Sequence, residues 1–162
     1  MIGPVSSLGG PYIVLPETIV NAWPGAAEAA AYEEICRGPD KGRVARIAER
    51  DAVILGTPDP LYFLPKANGG VLVRVVSFDA DDDDALAEIL QEFPEESWEQ
   101  LGVLQVVDNP YLAFDSAMGG GDAASDALSI DLSRGSYAVT STTFMPDDET
   151  ELLLTRLQRQ AE

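Results

Sequence analysis

The chain has 162 residues, with 28 Asp and Glu against 10 Lys and Arg, and a formal net charge of -18; such a field repels nucleic acid and anionic lipid, which a binder must meet with basic side chains. An apolar fraction of 46% excludes intrinsic disorder. The absence of histidine removes the usual general base, the usual activator of a Ser or Cys nucleophile and the commonest metal ligand, while a single cysteine, Cys36, excludes an intrachain disulfide and a multi-cysteine zinc site.

Met1 to Gly10 carries no basic residue and no apolar run, so it does not read as a secretory signal. No stretch reaches the roughly 20 apolar residues of a membrane helix, and the expected compartment is the cytosol. Gly9-Gly10-Pro11 feeds Tyr12-Ile13-Val14-Leu15-Pro16, a turn cluster ahead of a short, β-branched apolar run, which predicts a buried strand. After Trp23-Pro24-Gly25, the alanine-rich stretch 26–37 places Tyr32, Ile35 and Cys36 at helical spacing and stops at Gly38-Pro39. This predicts the first helix, with Cys36 as an inert buried thiol and Trp23 as a core residue.

Residues 43–48 and 52–55 read as two strands of a hairpin joined at Arg50-Asp51. Leu61 to Leu64 reads as a brief edge strand, since Pro60 and Pro65 limit its pairing. A Gly69-Gly70 turn then opens a strong strand, 71–78. In the stretch 79–93, Leu86, Ile89, Leu90 and Phe93 fall on one helical face, and the preceding Asp81, Asp82, Asp83 and Asp84 suit the positive end of that helix. Strands are expected at 101–107, 111–114, 127–132 and 136–144, with Gly119-Gly120-Gly121 as a flexible hairpin loop. The segment 149–158 carries both a helical capping pair, Asp148 with Glu151, and an alternation of Leu152, Leu154 and Arg156 with Leu153, Thr155 and Leu157. It reads as a strand buried on both faces. No repeat, linker or compositional break appears. The pattern predicts one β-rich α+β domain over 1–162, mostly antiparallel sheet or sandwich with about two helices.

Recognisable catalytic patterns are weak. With Asp79, Asp81 and Asp83 as the first ligands of an EF-hand, the required glycine is Asp84 and the bidentate Glu is Leu90, so that calcium loop is excluded and no cofactor is expected. The Gly119-Gly120-Gly121-Asp122 segment lacks the Lys and Ser or Thr of a phosphate-binding loop. Lys41 and Lys66 both lie in Gly- and Pro-punctuated connections, which offers no Ser-Lys dyad. Paired carboxylates are plentiful in any acidic chain, and only their separation in space is diagnostic of hydrolysis. The surplus of acid is consistent with solubility, a saline habitat or attraction of a basic partner; the last is the reading carried forward. Trp98, flanked by Glu95, Glu96 and Glu99, is consistent with either a core or a surface role.

The opening Ser7-Leu8-Gly9-Gly10-Pro11-Tyr12-Ile13-Val14-Leu15-Pro16, followed by Trp23 and by Tyr32-Glu33-Glu34-Ile35-Cys36, resembles the immunity protein 21 family of bacterial polymorphic toxin systems. Further points agree in order: Ala52-Val53-Ile54-Leu55-Gly56, Gly69-Gly70 ahead of a strand with Arg74, Gly135-Ser136-Tyr137-Ala138-Val139, and Leu152 to Leu157. The resemblance implies a non-enzymatic protein, encoded beside a toxin gene, that binds the toxin domain and blocks it. An acidic surface can compete with phosphate for the basic face of a nuclease toxin. The interface expected on this reading comprises Asp81, Asp82, Asp83, Asp84, Glu95, Glu96, Trp98 and Glu99. A carboxylate-dependent hydrolase and a general regulatory binding module are the alternatives, and the oligomeric state stays open.

Overall fold

The computed structural model describes residues 1–79, 82–95 and 97–161. Its strands in chain order are β1 (Ile2–Val5), β2 (Tyr12–Pro16), β3 (Arg43–Ile47), β4 (Arg50–Leu55), β5 (Leu61–Lys66), β6 (Gly69–Ser77), β7 (Glu99–Val106), β8 (Tyr111–Asp115), β9 (Leu128–Ile130), β10 (Gly135–Asp147) and β11 (Thr150–Arg159). The α-helices are α1 (Ala29–Cys36), α2 (Asp83–Ile89) and α3 (Gly120–Ala123). About two helices were expected; beyond α1 and α2 there are α3 and 3-10 turns at Glu17–Ala22, Gly25–Ala27 and Ala124–Asp126. Among the described residues no helix is long and apolar enough to cross a membrane.

Two antiparallel sheets carry the architecture. One runs β1-β5-β6-β11-β10-β7 and the other β3-β4-β2-β8-β9. Side chains alternate between the faces of a strand, so each sheet that is covered on both sides needs apolar residues at consecutive positions. The five buried residues of β2 meet that demand: Tyr12 and Val14 face the space between the sheets, while Ile13 and Leu15 face Trp23 and Ile35 on the outer side. Likewise, Leu157 on β11 joins Leu72, Leu104 and Val139 between the sheets, whereas Leu152 and Leu154 join Val71, Val73, Leu86 and Leu90 beneath α2. The result is four layers: α1 and its neighbouring turns, the five-stranded sheet, the six-stranded sheet, and α2.

Several local expectations are corrected. The hairpin turn lies at Ala48 and Glu49, with φ of 46° and 65°, because Ile47 pairs with Arg50 and Arg46 with Asp51. Gly69 and Gly70 begin β6 and pair with Lys66 and Pro65, leaving the turn to Ala67 and Asn68. Gly69 is required there, since a Cβ would lie 2.0 Å from the Leu157 carbonyl oxygen at a φ of +136°. Leu61 to Leu64 is no edge: β5 runs on to Lys66 and lies between β6 and the unforeseen β1. The Gly119 to Gly121 segment is no hairpin loop, because Gly120 starts a helical turn packed so closely on Val20 that a Cβ would approach its carbonyl oxygen to 1.9 Å. Cys36 is exposed, as α1 turns Ile35 inward and the next residue points about 100° away. Trp23 is core, 3% exposed, with Nε1 donating to the Ser116 carbonyl at 2.8 Å. The ambiguous C-terminal segment is a strand, paired with β10 on one side and β6 on the other.

Polar residues hold the two sheets in relation. Asp51 accepts from Arg46 Nη1 at 3.0 Å and from the backbone N–H of Gln105 on β7 at 2.8 Å. It thereby caps an edge strand of one sheet from the edge hairpin of the other. Arg74, 1% exposed on β6, donates from Nη1 to the Asp40 carbonyl and Thr57 Oγ1, and from Nη2 to the Lys41 carbonyl, at 2.8–3.1 Å. One buried guanidinium thus ties two loops at the end of the five-stranded sheet to the centre of the six-stranded one.

Candidate protein-binding face

Helix α2 lies across the outer face of the six-stranded sheet because Leu86 and Leu90 are buried on it, 2% and 1% exposed. Burial of each contributes roughly 2 kcal/mol. Its start is fixed by Asp82, whose carboxylate accepts the Asp84 N–H at 2.9 Å, and by Asp83, whose Oδ1 accepts the Tyr62 hydroxyl proton at 2.9 Å. Carboxylates at this end complement the helix dipole. Asp82, Asp83 and Asp84 are all exposed. Burial and the adjacent Asp83 together push the Tyr62 hydroxyl pKa up, so it stays a donor to that carboxylate. A cleft of about 270 Å3 beside them is lined by Pro60, Tyr62, Val75, Asp82, Asp83 and Leu86.

The remaining expected residues are spread along the face. Trp98 is half-buried against the α2 cluster; its Nε1 donates to the Pro94 carbonyl at 2.7 Å, and the Arg156 guanidinium lies 4.1 Å from its ring centroid. Glu95 is exposed. Glu99 begins β7, an edge strand of the sheet, and pairs with Lys41 from the loop before β3. With β6, β11 and β10 between β5 and β7, Asp83 and Glu99 lie roughly 19 Å apart at ordinary strand spacing. The set therefore does not converge on a single point, but its span is within one standard protein interface. Asp81 and Glu96 lie outside the described residues.

Among the described residues no group of three or more Cys, Asp or Glu side chains is gathered to hold a metal ion. Two carboxylates have displaced titration: the hydrogen bond from Arg50, at 2.7 Å, holds Asp108 below the usual range, and the Glu149 N–H does the same for Asp147. A general acid would need the opposite displacement.

Sequence reasoning missed Tyr62, Lys66, Phe93 as a cation platform, and Arg156. The available signal was the period of two on β11, which puts Arg156 on the same face as Leu152 and Leu154. No local pattern indicates that β5 would bring Tyr62 to Asp83 or Lys66 to Phe93. The family model described as immunity protein 21 matches residues 4–150. No curated protein and no solved structure matches the chain.

Proposed function

The chain belongs to the immunity protein 21 family, and from that premise we propose that it binds a toxin domain encoded beside its own gene and holds it inactive without catalysing a reaction. The observation that carries this reading is the family match over most of the chain, together with a surface charge suited to a basic target. The net charge of -18 steers a basic partner in, and the exposed Asp82, Asp83 and Asp84 at the start of α2 offer it a concentrated contact. Glu95, Trp98 and Glu99 extend the proposed interface along the sheet, with Asp81 and Glu96 included as their sequence neighbours. A nuclease is a fitting target, since its phosphate-binding face is basic. The shared core between the two sheets supports residues 1–162 acting as one domain, and the cytoplasm, where such a toxin would do damage, is the proposed place of action.

The test is co-expression with the toxin domain of the neighbouring gene in a sensitive host. Survival of the host and co-purification of the two chains are expected. Continued killing, with no complex recovered, overturns the proposal. Replacing Asp82, Asp83 and Asp84 together by Asn is expected to weaken the complex at least about tenfold, because three rim carboxylates of an electrostatically steered interface are lost.

A further inference from the structure

In a molecule so rich in acid, cations held against aromatic rings and not against carboxylates are informative. Arg37, Lys41, Arg43, Arg46 and Arg50 each have a carboxylate within 4.0 Å. Among the described residues Lys66, Arg74, Arg134, Arg156 and Arg159 have none; Arg74 and Arg159 donate to backbone carbonyls, whereas Lys66 and Arg156 are each held against an aromatic ring, with Lys66 Nζ 5.1 Å from the Phe93 centroid and Arg156 Cζ 4.1 Å from that of Trp98. Both line the same cleft, of about 310 Å3, together with Ala67, Asn68, Val71 and Phe93. The Arg156 Nε is buried and has no hydrogen-bond partner among the described residues.

We infer that this cleft receives a carboxylate side chain of the partner toxin domain. The Arg156 guanidinium lies over the Trp98 ring with no carboxylate partner, and the terminal N–H groups of a guanidinium match a carboxylate in two parallel bonds. Lys66, exposed at the end of β5, adds a second positive charge on a mobile stem. At long range the field of the molecule repels acids, so the cleft acts only at contact, after the acidic patch has drawn in a basic face.

The position relative to that patch gives the cleft its purpose. Tyr62 holds Asp83 near the start of β5 and Lys66 meets Phe93 at its end. Four residue steps along the strand separate them, roughly 13 Å. One toxin surface can therefore cover both, and opposite charges at the two ends of α2 fix its orientation and reject purely basic decoys. The occupant rests on the toxin-binding reading; the cleft itself does not.

The experiment compares binding of the cognate toxin domain to the unmodified chain, Lys66→Glu and Arg156→Glu by calorimetry, with thermal melts verifying that each variant folds. Loss of affinity of about tenfold or more in Lys66→Glu, whose side chain is exposed, is expected, and a larger loss in Arg156→Glu. Affinities equal within about twofold in folded variants overturn the cleft and leave the immunity reading intact. Should the unmodified chain fail to bind any toxin domain, the immunity reading falls, and glutarate titrated against Trp98 fluorescence decides the cleft alone. A saturable change that Arg156→Gln abolishes upholds a carboxylate site there; no saturable change, or one that survives in Arg156→Gln, overturns it.

Discussion

Arg74 and the buried tyrosines set how the interior responds to pH. Burial lowers the Arg74 pKa to about 10, well below the ordinary guanidinium range and against the opposing pull of Asp59 and Asp40, so above there the unfolded chain binds the extra proton and stability rises with pH. The tyrosines act the other way. Burial first, and nearby Asp115 and Asp51 next, push Tyr12 and Tyr111 well above their ordinary 10.0, and Tyr32, Tyr62 and Tyr137 shift in the same direction. Above about pH 10 the unfolded chain releases these protons while the folded one keeps them, and stability falls. Five groups outweigh one. The urea midpoint is expected to drop between about pH 9 and about pH 11, and the double variant Tyr12→Phe, Tyr111→Phe to drop less; a midpoint that rises would contradict this account.

Among the elements, the β3–β4 hairpin shows what a turn without turn residues costs. Ala48 and Glu49 both adopt the left-handed conformation, which a side chain disfavours by about 1 kcal/mol or more, and Arg46 compensates by donating from Nη2 to the Glu49 carbonyl at 2.8 Å. Glu49→Gly relieves the strain at φ of 65° and leaves that carbonyl in place. It is expected to raise stability by about 0.5–1 kcal/mol in chemical denaturation; a destabilised variant would contradict this reading. Legibility followed the same lines. β2, β6, β11 and α2 were readable because their apolar spacing is local and dense, and β11 resolved against helix because β10 and β6 flank it. The turn at Ala48 and Glu49 and the strand β1 were not, since one is imposed by the pairing of its flanks and the other by β5, a segment remote in sequence.

At the scale of the whole molecule, a net charge of -18 makes association with a basic toxin domain depend on ionic strength. Raising salt from about 0.05 M to about 0.5 M is expected to slow association by roughly tenfold or more in stopped-flow measurements, with dissociation changing far less. An association rate indifferent to salt would show that the acid serves solubility alone. The sequence by itself determined the excess of acid, the lack of histidine, the β-rich class and most of the strands, because composition and periodicity are properties of neighbouring residues. Only the tertiary structure decided that Asp83, held over β5, and Glu99, on the edge strand β7, stand four strands apart on one sheet, that Cys36 faces solvent, and that Lys66 and Arg156 share a cleft. Those facts arise from which strands pair and which helix face is buried, and pairing joins residues far apart along the chain through hydrogen bonds that every backbone segment is equally able to make.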